Sequence, residues 1–89
     1  MNLKNKIFLI TGGTGSFGNA VLRKLLKTNI KEIRILSRDE KKQYDLRKKI
    51  NDYRLKLYLG DIRNFHSVMD ATKNVDYIFH AAALKQVPS

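Results

Sequence analysis

Gly12, Gly15 and Gly18 recur at three-residue intervals directly after the apolar run Ile7-Phe8-Leu9-Ile10. A run this short, closed by glycines, reads as a strand buried on both faces. Phe17, Val21, Leu22, Leu25 and Leu26 follow at helical spacing, with Arg23, Lys24 and Lys27 opposite. The glycines therefore fall on a strand-to-helix turn, where each has a physical use. Gly12 permits the tight turn, Gly15 lets the backbone approach a pyrophosphate, and Gly18 lets the helix lie against the sheet. The helix N-terminus adds free N–H groups and partial positive charge for the phosphates. A branched side chain at Gly15 is expected to block the phosphate path and also to meet a glycine-only backbone angle. The plain alternative is a turn that binds nothing. A P-loop would need Lys and then Ser or Thr after Gly18, but Asn19 and Ala20 stand there.

The second strand ends in Leu36-Ser37-Arg38-Asp39-Glu40-Lys41-Lys42. A site selecting NAD places an acidic residue here for the ribose 2′-hydroxyl. Ser37, Arg38, Lys41 and Lys42 instead suit a 2′-phosphate, which favours NADP. Asp39 keeps NAD possible, should its carboxylate turn inward. Ser37 and Glu40 also fit a capping box, and a capped helix start attracts phosphate as well. At the end of the third strand, Gly60-Asp61-Ile62 offers a carboxylate for the adenine amino group and an apolar side chain for the ring; equally, Asp61 could cap the next helix. The last strand closes on His80-Ala81-Ala82-Ala83-Leu84-Lys85. Small residues at a carboxyl strand end admit a ligand. Lys85 is placed to meet cofactor or substrate phosphate, or else is a solvated loop lysine. His80 reads as a satisfied strand-end histidine, and His66 as the silent start of a surface helix. No Ser-His-Asp set and no metal cluster is visible.

These segments need a frame. Strands are expected at Ile7–Ile10, Ile33–Leu36, Leu55–Leu59 and Tyr77–Phe79. Leu46, Ile50 and Tyr53 mark the buried side of a second helix. Phe65, Val68, Met69 and Thr72 mark that of a third. The order β-α-β-α-β-α-β implies an α/β fold: the N-terminal part of a Rossmann-type, doubly wound parallel sheet with helices on both faces. A complete sheet of this kind has about six strands, so the fold is expected to be incomplete and marginal by itself.

Composition narrows the classes. The 89 residues suffice for one small domain, and 43% hydrophobic content is that of a globular chain. No apolar run approaches the ~20 residues of a membrane span. The chain lacks cysteine, which removes disulfides and thiolate metal sites, and a cytoplasmic protein is the simplest expectation. The net charge of +10 could indicate an anionic partner, but between Arg38 and Lys56 the basic residues alternate with Asp39, Glu40, Asp45 and Asp52, as on an exposed amphipathic helix. No nucleic-acid motif is present, and the glycine loop argues against a nucleic-acid binder.

The motifs Thr11-Gly-Gly-Thr-Gly-Ser-Phe-Gly18, Ser37-Arg-Asp-Glu-Lys-Lys-Gln43, Gly60-Asp-Ile-Arg63 and His80-Ala-Ala-Ala-Leu-Lys-Gln-Val-Pro88 resemble those of extended short-chain dehydrogenase/reductases of bacterial polysaccharide biosynthesis. The resemblance is to the CapD-like group, which includes UDP-N-acetylglucosamine 4,6-dehydratases (inverting) and proteins labelled UDP-glucose 4-epimerase. It implies that Thr14 to Phe17, Ser37 to Lys42, Asp61, Ile62, Ala81 and Lys85 line an NADP site, with Lys85 also facing a UDP-sugar. It implies chemistry at sugar C4, in which hydride is removed and then returned from the same cofactor. Family members are longer, and their catalytic Thr-Asp-Lys and downstream Lys segments and substrate domain lie past the equivalent of Ser89. The expectation is therefore a partial NAD(P)-binding domain over residues 1–89, without catalytic residues and inactive alone. Its partner would be a downstream split-gene half, or further copies as in the homo-oligomeric full-length family. A non-catalytic dinucleotide-binding or sensing module is the alternative.

Overall fold

The computed structural model describes residues 2–12 and 14–81. Four strands, β1 (Ile7–Thr11), β2 (Glu32–Ser37), β3 (Leu55–Leu59) and β4 (Tyr77–His80), alternate with three helices, α1 (Ser16–Leu26), α2 (Glu40–Lys49) and α3 (Phe65–Thr72). The strands form one parallel sheet in the order β3-β2-β1-β4. This is the order of the first half of a Rossmann sheet, and the direction of winding reverses between β1 and β4. The predicted alternation of strands and helices is thus present, with strand ends shifted by at most one residue.

Period-two side chains divide the core. One face carries Ile10, Ile33, Ile35 and Leu55, packed with Leu22 and Leu25 of α1 and Leu46 of α2. The opposite face carries Leu9 and Leu36 against Ala71 of α3. Each fully buried Leu or Ile contributes about 1.5–3 kcal/mol. Helical periodicity misplaces four side chains. Tyr53 is 83% exposed because α2 ends at Lys49 and the helical register does not continue to it. Phe17 and Phe65 occupy the first turns of α1 and α3, and both are exposed. Met69 is exposed as well, because the buried stripe of α3 runs through Val68 and Ala71.

The amino-terminal ends of the strands are closed by arginines. Arg34 lies in β2, almost buried, paired with Glu32 at 2.6 Å. Its Nη1 donates to the carbonyls of Ala71 (3.0 Å) and Lys73 (2.7 Å), which end α3. Arg54 does the same for α1. It donates to the carbonyls of Leu26 (2.8 Å) and Thr28 (2.9 Å) while held by Asp52. Each guanidinium satisfies carbonyls that a helix end leaves without an internal partner, and its positive charge suits the negative end of the helix dipole. Arg54 thus departs from the exposed-helix pattern read for the basic residues between Arg38 and Lys56.

Replacing Arg34 with alanine removes one donor group from two carbonyls and leaves Glu32 without its partner. A loss of about 2–3 kcal/mol is expected from urea unfolding midpoints, the scale of hydrogen bonds to a charged group. Arg34→Lys should recover only part of it, since an ammonium lacks the planar fork that reaches carbonyls and carboxylate together.

Candidate functional site

At the opposite end of the sheet the three strand-to-helix turns converge. Gly12 has φ 67°, the left-handed region, and its N–H donates to the Leu36 carbonyl at 2.8 Å. The glycine loop is thereby fastened to β2, and the Thr14 and Ser37 hydroxyls add a second tie at 3.3 Å. The third turn is fastened the same way, by the Gly60 N–H on the Ser37 carbonyl at 2.9 Å. Gln43 of α2 is buried and donates to the Tyr58 carbonyl at 2.8 Å. Across the switch between β1 and β4, Thr11 Oγ1 and His80 Nδ1 share a 2.9 Å hydrogen bond, so His80 is the satisfied strand-end histidine its position implied.

These ties leave a cavity of about 280 Å³ between the turns. Gly12, Thr14 and Gly15 line it from the first turn, Ser37, Arg38, Asp39 and Lys42 from the second, and Asp61 and Ile62 from the third. Thr11, Leu36, Gly60 and Arg63 complete the wall. Ser16, Phe17, Gly18, Glu40 and Lys41 do not line it. Gly18 is buried in α1, Lys41 reaches Asp45 at 3.5 Å, and Ala81 belongs to the apolar core. Lys85 lies outside the described residues. Arg63 carries chemistry that spacing did not single out; the signal available for it was a carboxylate two residues before a guanidinium.

Three local expectations change. Gly15 has φ −82°, ordinary extended backbone, so the glycine-only angle belongs to Gly12. The Ser37–Glu40 capping box does not form. Ser37 stays in the β2 ladder opposite Leu59, and Asp39 caps α2 by accepting from the Lys42 N–H at 3.0 Å. The Ser37 hydroxyl instead accepts from the Asp39 N–H at 3.1 Å. Nor does Asp61 cap α3; Asn64 does, accepting from the Ser67 N–H at 3.0 Å. The helix starts therefore differ. α2 and α3 carry a side-chain acceptor, whereas α1 begins at Gly15 with no side-chain cap and no acidic residue in its first turn. Its free N–H groups and positive dipole end suit an anion.

Asp61 is the most strongly perturbed group described at this cavity. Side-chain hydrogen bonds from Arg63 hold its carboxyl well below the usual carboxylate range, helped by the Arg63 backbone N–H and by the nearby Arg38 charge. Gly60 is confined by packing. A Cβ there would lie 2.5 Å from Ser67 Oγ and 2.7 Å from Ser67 Cβ, so the glycine sets how closely α3 approaches the end of β3.

Because its folded pKa is depressed, Asp61 contributes stability above its unfolded value of 3.8 and loses it as pH falls through the folded value. A carboxyl-carbon NMR titration should find Asp61 still ionised when exposed carboxylates have protonated, and Arg63→Ala should move its midpoint up toward 3.8. Gly60→Ala should cost about 1–3 kcal/mol in thermal or urea unfolding through overpacking against Ser67.

Comparison with known proteins agrees with this architecture. The chain is 63% identical to a UDP-glucose 4-epimerase of Rickettsia bellii, over 96% of this chain and 26% of the relative. The same figures hold for a UDP-glucose 4-epimerase of Rickettsia prowazekii. It thus spans about a quarter of the length of the curated relatives it matches. The crystal structure of Pen from Bacillus thuringiensis superposes with a TM-score of 0.82 at 38% identity, covering 88% of this chain and 24% of that one. The family described as polysaccharide biosynthesis protein matches residues 8–89, and the chain belongs to that family.

Proposed function

We propose that this chain forms the adenosine and phosphate side of an NADP site in an enzyme acting on a UDP-sugar for bacterial surface polysaccharide. The observation that carries the reading is one cavity that joins a left-handed Gly12 turn, an uncapped α1 N-terminus, and the cations of Arg38 and Lys42. These groups fit a dinucleotide. The α1 N–H groups would hold the pyrophosphate, Ile62 would pack on the adenine, and Ser37, Arg38 and Lys42 would hold a ribose 2′-phosphate. Asp39 supports NADP over NAD, since its carboxylate is engaged by the α2 backbone. The name shared by the Rickettsia relatives supports the nucleotide-sugar assignment. When bound, the nicotinamide supplies hydride transfer at the sugar. The residues described here bind and orient the cofactor's other half. Sugar recognition and proton transfer belong, in this reading, to the further length that the relatives possess.

Two substitutions test it by titration with NADP and NAD, each beside a thermal melt. Gly15→Val should fold, because φ −82° accepts a side chain, yet lose affinity for both cofactors. If the folded variant bound NADP like the parent, the loop would be a structural turn and the proposal would fail. Arg38→Ala should weaken NADP by about 1.5 kcal/mol, roughly tenfold, and NAD much less; equal losses would place Arg38 outside a phosphate site.

A further inference from the structure

Two carboxylates line the cavity, and each is already engaged by the protein. Asp39 Oδ1 accepts from the Lys42 N–H at 3.0 Å. Asp61 is engaged by Arg63. Its Oδ2 accepts from Arg63 Nη2 at 2.8 Å and Nε at 3.2 Å, and its Oδ1 accepts from the Arg63 backbone N–H at 2.9 Å and from Nε at 3.2 Å. Arg38 reaches the same carboxylate only through Nη1, at 3.5 Å. The two guanidiniums therefore share one carboxylate unequally. Arg63 makes a short forked pair, and Arg38 keeps most of its donors for other work.

We propose that Arg63 is a positioning residue that sets the preference for a phosphorylated ribose by keeping Asp61 off Arg38. This rests on the NADP reading above and adds to it a residue that need not touch the phosphate. Without Arg63, the strongest remaining cation near Asp61 is Arg38, whose exposed side chain is free to close the last fraction of an ångström. Its donors would then be committed to a protein carboxylate, and a ligand phosphate would have to displace it. The charge count moves the same way. Asp61 with both arginines is net +1, and with Arg38 alone it is neutral, which weakens the attraction for a phosphate dianion. Arg63 is itself exposed, and among the described residues its side chain bonds only to Asp61. Its removal therefore uncovers no core and leaves no carbonyl unpaired.

The test is the ratio of NADP to NAD affinity, because contacts with adenine and pyrophosphate are common to both and cancel. The intact 89-residue chain is titrated with each cofactor as parent, Arg63→Ala, Arg63→Lys, and the double variant Arg63→Ala with Asp61→Asn. Arg63→Ala should lower the ratio about two- to fivefold, the range set by an exposed ion pair that the phosphate must now break. Arg63→Lys should retain part of the ratio. The double variant, with no charge left to capture Arg38, should return to the parent ratio. An unchanged ratio in Arg63→Ala, equal losses for both cofactors, or a double variant no better than the single one would each overturn the inference. The parent is the control for the underlying reading. If it binds neither cofactor, or both equally, the NADP site fails, whereas a selective parent with an indifferent Arg63→Ala defeats only the role given to Arg63.

Discussion

Parallel strands cannot be joined by a tight hairpin, so β1, β2 and β3 are each followed by a crossover helix, and each crossover leaves from the same end of the sheet. That constraint gathers three turns at one end, and the turns need fastening because their backbone groups are no longer paired in the ladder. The Gly12 N–H on the Leu36 carbonyl and the Gly60 N–H on the Ser37 carbonyl supply it. The first and third turns are thereby both tied to β2, whose end leads into the second. Gly12 makes the last bond to β2 and then, with φ 67°, turns the chain away from the strand, which is why a glycine is favoured there on backbone grounds.

The same geometry divides the positive charge between two tasks. At the amino end of the strands the guanidiniums of Arg34 and Arg54 are mostly covered and close the C-termini of α3 and α1. At the carboxyl end Arg38 and Arg63 remain largely exposed around one carboxylate. A helix presents carbonyls at one end and N–H groups at the other, so cations are internal structure where helices finish and are available to an anion where helices start. Net charge alone does not reveal this division, because Arg34 and Arg38 differ in role while standing four residues apart.

Much of this was legible in the sequence, for reasons that can be located. Strand identity rested on local signals: the apolar run Ile7–Ile10 closed by glycines, the alternation of Leu55, Leu57 and Leu59, and the short apolar runs at Ile33–Leu36 and Tyr77–Phe79. The order of strands and helices followed. The glycine loop was legible because spacing and context coincide there. Side-chain burial on α3 was not. Phe65 and Met69 are apolar at helical spacing, yet the packed stripe is Val68 and Ala71, and nothing in eight residues tells which side of a short helix meets the sheet. The cap of α2 was misassigned because Ser37 and Asp39 are both good cap residues; the choice was made by the β2 ladder, which holds Ser37 in register with Leu59. Arg63 was overlooked because its importance lies in competition with Arg38, which is 25 residues away in sequence and is brought near only by the β2–β3 pairing.

The sheet is not equally covered across its width. Tyr77 and Ile78 of β4 are about half exposed, and an apolar hollow beside β4 is lined by Leu3, Phe8, Val21 and Leu25. Parallel sheets are ordinarily buried on both faces, so this margin contributes less to stability than the β1–β2–β3 side, where Ile10, Ile33, Ile35 and Leu55 are enclosed. The described cavity rests on the better-packed side. Its walls come from the ends of β1, β2 and β3, and its ties run among those three strands, while β4 joins through its ladder on β1 and the Thr11–His80 hydrogen bond. The turns that would hold the adenosine and phosphates are therefore carried by the better-enclosed β1 and β2 region of the sheet rather than by its exposed β4 margin.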